Sequence, residues 1–110
     1  MSAAHDIPPI TISQQDWHEV RRVLSHHLPG YTVLAFGSRV AGTAKPYSDL
    51  DLVIQAEQPL TLENMATIKD AFDESDMTIR VDIVDWAATG DLFRKIIQQQ
   101  SVVIQQAVRQ

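Results

Sequence analysis

The chain has 110 residues, 45% hydrophobic and 21% charged, a balance that suits one globular domain spanning 1–110 with a modest core. With no cysteine it can build neither a disulfide scaffold nor a Cys-based metal site, which fits a reducing cytoplasm. A net charge of −5 argues against nonspecific nucleic-acid binding, and no apolar run approaches the roughly 20 residues of a membrane span.

Residues 1–12 carry Pro8 and Pro9 and no sustained period, so they are expected to form a loose or extended lead-in without the charged-then-apolar order of a signal peptide. Ser13 is placed to cap a helix, with Asp16 three residues on as a near-miss of the capping box. Trp17, Val20, Val23, Leu24 and Leu28 then recur on one helical face, and Pro29-Gly30 ends the run. His18, His26 and His27 are expected at the surface. Tyr31–Phe36 is β-branched and aromatic between glycines, hence a first strand. A helical turn over Ser38–Ala41 should stop at Gly42, and a second strand should cover Ser48–Gln55.

A second helix is expected from Leu60 or Thr61 to Phe72, burying Leu62, Met65, Ile68 and Phe72. Thr78–Val84 alternates as a third strand. Parity then puts Asp82 and Asp85 on opposite faces, with Asp85 free to cap the stretch after Trp86. Residues 87–100 form a last helix with Leu92, Phe93, Ile96 and Ile97 apolar and Gln98-Gln99-Gln100 exposed. Val102–Ile104 reads equally as an edge strand or a helix continuation.

The chemistry concentrates between Ala35 and Gln55. Asp49 and Asp51 point to one side of a strand whose Leu50, Leu52 and Ile54 point to the other. Two acids on such a strand are costly unless they bind something positive, and a divalent cation is the obvious candidate. Upstream, the Gly37-Ser38 turn can present N–H groups and a hydroxyl to a phosphate. Arg39, Lys45 and Arg80 are candidate phosphate contacts, Arg80 because it shares a strand face with Asp82. Clustered acids repel, so at least one should titrate above its ordinary value when no cation is bound.

Gly37-Ser38, ten residues, then Asp49-Leu50-Asp51 is the GSx10DxD pattern of the polymerase-β-like nucleotidyltransferases. Gly-Ser-Arg…Gly…Ser-Asp-Leu-Asp-Leu resembles their minimal bacterial branch, the MNT domain, which includes antitoxins encoded beside HEPN-domain toxins. The resemblance covers about Tyr31 to Asp85. It implies a small α/β (α+β) fold with a mixed sheet flanked by helices, and a third carboxylate on a neighbouring strand, matched here by Asp82. It further implies that Asp49, Asp51 and Asp82 hold two Mg²⁺ ions while Gly37-Ser38 grips the phosphates of ATP. The implied reaction moves AMP onto a hydroxyl, a tyrosine of a cognate HEPN toxin. Longer relatives carry a helical domain after the third acid's helix, so a small helical partner is expected here instead. Neutralisation of that partner by contact alone, and adenylylation of a small molecule such as an aminoglycoside, are the alternatives.

Overall fold

The computed structural model describes residues 7–107; part of the expected lead-in, residues 1–6, lies outside them. Helix α1 (Gln14–His27) starts where the Ser13 side chain accepts the Asp16 N–H at 3.1 Å. It ends at Leu28, just before Pro29, with the Leu28 N–H on the Leu24 carbonyl. Strand β1 (Thr32–Phe36) leads through Gly37 into the one-turn helix α2 (Ser38–Ala41), which stops at left-handed Gly42. Strand β2 (Leu50–Gln55), helix α3 (Leu62–Asp73), strand β3 (Val81–Asp85), a 3₁₀ turn (Trp86–Ala88), helix α4 (Asp91–Gln99) and strand β4 (Ser101–Gln105) follow.

The sheet order is β3-β2-β1-β4. β1 runs antiparallel to β2 and β4, whereas β2 and β3 are parallel and therefore need the α3 crossover between them. One face carries Val33, Ala35, Leu50, Leu52, Ile54 and Ile83 against Trp17, Val20, Val23 and Leu24 of α1 and Ile68 and Phe72 of α3. Each such buried aliphatic contributes about 1.5–3 kcal/mol, so this layer carries most of the stability. The other face is thinner: Phe36 and Val53 meet Ile97 of α4, flanked by Leu34, Val84 and Trp86. No helix among the described residues is long and apolar enough to cross a membrane.

Several local expectations change. Leu62 is 91% exposed rather than buried: it is the first residue of α3, where side chains lean back past the helix end and find nothing to cover them. Leu92 and Ile96 are also exposed, because α4 lies alone on its face and buries only Ile97 fully. Part of the lead-in is not loose. The Thr11 N–H donates to the Arg39 carbonyl at 2.7 Å, and Ile10 and Ile12 pack on the core. The open question at 102–104 resolves to a strand, since β4 completes the ladder on the free edge of β1.

Strand β3 begins three residues late because α1 has claimed its approach. Asp16 does not complete a capping box; its carboxylate takes the Thr78 N–H at 2.7 Å and the Thr78 hydroxyl at 2.5 Å. Glu19 takes the Asp76 N–H at 3.0 Å and pairs with Arg22 at 2.8 Å. The Arg22 hydrogen bond first, and then the Asp76 N–H, pull the Glu19 carboxyl from 4.5 down to about 2. A depressed carboxyl stabilises the fold fully above its unfolded value, and that stabilisation is lost as pH falls toward 2. Glu19→Gln should therefore unfold at a lower temperature than wild type at pH 6, with the gap closing between pH 4.5 and 2 in thermal melts.

Candidate active site

The antiparallel pairing of β1 with β2 sets Phe36 opposite Asp51, so the Gly37 turn leaves the sheet beside that carboxylate. The parallel pairing of β2 with β3 sets Asp51 opposite Asp82. Directly paired residues share a face, so Phe36, Asp51 and Asp82 form a row across three strands on the thinly covered side. Asp49 lies two residues before Asp51, just outside the strand, and is exposed, as is Asp82; Asp51 is half-buried. Asp85, on the opposite face, caps the 3₁₀ turn by accepting the Ala87 N–H and also holds the Leu60 N–H at 2.7 Å.

Gly37 has φ 84° and ψ −159°, and a Cβ there would overlap Asp51 Oδ2. The bare Cα thus lets carboxylate and turn touch. Beyond it, the Ser38 and Arg39 N–H groups donate to no backbone acceptor among the described residues. Ser48 closes the following loop: its hydroxyl accepts the Lys45 N–H at 2.8 Å, and its own N–H returns to the Lys45 carbonyl.

Arg39 is corrected. Its side chain turns inward, 6% exposed, and its guanidinium donates to the carbonyls of Ser48, Thr11, Lys45 and Pro46 at 2.8–3.3 Å. Four of five N–H donors are used, which leaves it a strut under the loop rather than a phosphate ligand. Lys45 and Arg80 are exposed, and the Arg80 carbonyl accepts the Leu50 N–H at 2.9 Å where β3 joins β2.

Burial first, then the Asp82 and Asp49 charges, push the Asp51 carboxyl above its ordinary 3.8. No cation relieves it, since the one ion pair among the described residues is Arg22–Glu19. That uncompensated hard-oxygen set suits a divalent cation such as Mg²⁺, which takes part of its shell from substrate phosphates. The set is not a preformed cage: among the described residues no three His, Asp or Glu side chains already converge to hold a metal. The two exposed acids would have to turn toward Asp51.

A raised carboxyl destabilises the fold once pH climbs past its unfolded value. Asp51→Asn should therefore melt roughly a few degrees above wild type at pH 7 in chelator, the advantage vanishing in acid where wild-type Asp51 is protonated. Paired melts at the two pH values test this.

Among the described residues the more prominent grooves include four of about 270 to 840 Å³, and none of these four is lined by Gly37, Ser38, Asp49, Asp51 or Asp82. The acids lie on an open face rather than in an enclosing pocket.

A model of the family described as Polymerase beta, Nucleotidyltransferase matches residues 18–109. The chain is 48% identical over 97 residues to the "Probable protein adenylyltransferase MntA" of Haemophilus influenzae, spanning 88% of this chain and 85% of that one. Among solved structures, a toxin–antitoxin with AMP-PNP is similar at TM-score 0.63 and 21% identity, over 84% of this chain and 74% of that one. The MNT antitoxin complex with a tri-AMPylated Shewanella oneidensis HEPN toxin is similar at TM-score 0.58 and 19% identity, over 87% and 74%. At such identities these two likenesses show the fold.

Proposed function

Because the chain belongs to the polymerase beta nucleotidyltransferase family, we propose that it transfers AMP from ATP to a protein hydroxyl, a tyrosine of a small helical HEPN-type toxin that the modification silences. The carrying observation is the uncompensated Asp51–Asp82 pair beside the Gly37 turn on an open sheet face. An open face admits a side chain presented by another protein, whereas a small-molecule acceptor calls for an enclosing pocket.

In this reading the Gly37-Ser38 turn offers the free N–H groups of Ser38 and Arg39 to the triphosphate, and Arg80 approaches it from the edge strand. Asp49, Asp51 and Asp82 would hold two Mg²⁺ ions, which when bound stabilise charge on the entering and leaving oxygens. The acceptor oxygen attacks the α-phosphorus, the bond to the β-phosphate oxygen breaks, and pyrophosphate leaves. The Asp82 carboxylate takes the hydroxyl proton.

The exposed apolar flank of α4 favours a second reading, neutralisation of the partner by contact alone. One experiment separates the two. A small helical HEPN-type protein, if the neighbouring reading frame encodes one, is incubated with labelled ATP, Mg²⁺ and either wild type or the Asp49→Asn, Asp51→Asn double variant. Label and a mass gain of AMP on the partner, lost in the variant, support transfer. Equal neutralisation by both proteins with no mass gain would falsify it.

A further inference from the structure

Strand β3 sits at the sheet edge with β2 as its single neighbour, and α3 separates the two in sequence. No tight turn therefore sets their register. The apolar pattern does not set it fully either. Ile79, Val81 and Ile83 alternate with Arg80, Asp82 and Val84, so a two-residue slip keeps every apolar side chain on its face. Such a slip would put Arg80 opposite Asp51. Charge alone favours that arrangement, since it replaces a like-charged pair with an opposite one. Something must hold Asp82 where it is.

The hold comes from α1. Asp16 is 3% exposed and pairs with no cation among the described residues, yet both its oxygens go to one residue, the N–H and hydroxyl of Thr78. Two bonds to one residue fix its orientation as well as its place. Glu19, about one helical turn further on, takes the Asp76 N–H, and the amide of Gln15, next to Asp16, donates to the Asp76 carbonyl, so both brace the same approach. From Thr78 the chain passes through a bend at Thr78 and Ile79, and the Leu50 N–H meets the Arg80 carbonyl just before Asp82 pairs with Asp51.

We propose that Asp16, braced by Glu19, is a positioning residue of the active site: it pins the register of β3 so that Asp82, not Arg80, stands beside Asp51. This rests on the reading in which Asp82 serves the site. Mn²⁺, titrated by EPR without nucleotide or partner, is the probe. Asp16→Ala should weaken Mn²⁺ binding about 10–100-fold, the usual effect of losing a residue that orients metal ligands. Asp16→Asn, whose amide can still bond both Thr78 groups, should stay near wild type. Thr78→Val, which loses the hydroxyl alone, should fall between and serves if Asp16→Ala does not fold. In an Asp82→Asn background the Asp16 substitution should cost less, because only the approach of Arg80 to Asp51 is then left to weaken binding.

Undiminished Mn²⁺ affinity in Asp16→Ala overturns the pin. So does a loss of the same factor with Asp82 present or replaced, which would mean general destabilisation. If Asp82→Asn alone leaves Mn²⁺ affinity unchanged, the metal reading falls instead. The cross-strand NOEs between residues 51 and 82 in Asp16→Ala then decide: their loss upholds the pin and their survival ends it.

Discussion

Gly37→Ala should remove AMP transfer almost completely while leaving a folded but weakened protein. At φ 84° and ψ −159° the Gly37 backbone occupies a region open essentially to glycine, and forcing a Cβ into it costs about 1–3 kcal/mol. The new methyl also has nowhere to go. It would overlap Asp51 Oδ2 and lie 3.2 Å from Cγ and 3.4 Å from Cβ of the same residue. The Asp51 carboxyl must swing away, which removes the central acid of the row from its neighbours. Misplacing a reacting group by about 1 Å already costs around a hundredfold, so transfer should fall by at least that factor. Strain and displacement together should lower the melting temperature by on the order of 10 °C. Gly42→Ala provides the comparison. Gly42 is also left-handed, at φ 81°, but nothing lies within 4 Å of its missing Cβ. It should lose about 1 kcal/mol and keep full transfer. Initial rates well below both melting temperatures make the comparison; equal activity in the two variants would mean that the Gly37–Asp51 contact does not matter to catalysis.

The contrast between the two glycines marks what the sequence could and could not disclose. Local signals were legible: Ser13 caps where expected, α3 starts within two residues of its expected start, Gly42 ends its turn, and parity separates Asp82 from Asp85. The direction of the Asp51 shift was legible from clustered acids, although burial, which the sequence does not report, is its larger cause. What stayed hidden depends on partners far along the chain. Asp16 reads as a first-turn acid, and its bonds to Thr78 span 62 positions that no local pattern reports. The apolar residues of α4 have a clean helical period, but period says which side is apolar, not whether another layer covers it. Strand β4 is too short to declare itself until the free edge of β1 is known. Arg39 misleads for a related reason: a cation after Gly-Ser suggests an anion contact, and only the fold shows the loop carbonyls waiting beneath it.

That inward turn gives Arg39→Ala the largest expected effect on stability. The guanidinium ties Ser48, the residue before Asp49, to Thr11 ahead of α1 and to Lys45 and Pro46 at the loop tip. Truncation breaks four charge-assisted hydrogen bonds and empties the space beneath the loop. Water can reach the exposed tip, so the bonds do not sum, and a net loss of about 3–5 kcal/mol is expected. Against a typical total of 5–15 kcal/mol this is a large share. Arg39→Lys keeps the charge but has three donors and no planar fork, so it should recover less than half of the loss. The two roles open to Arg39 give opposite signatures. A phosphate contact would raise the KM for ATP in Arg39→Lys at an unchanged melting temperature. A strut lowers the melting temperature first and reduces transfer through a loosened Asp49, with nucleotide affinity the lesser casualty. Denaturant melts and kcat and KM measured on the same preparation separate them, and a wild-type melt with a high KM would return Arg39 to the triphosphate.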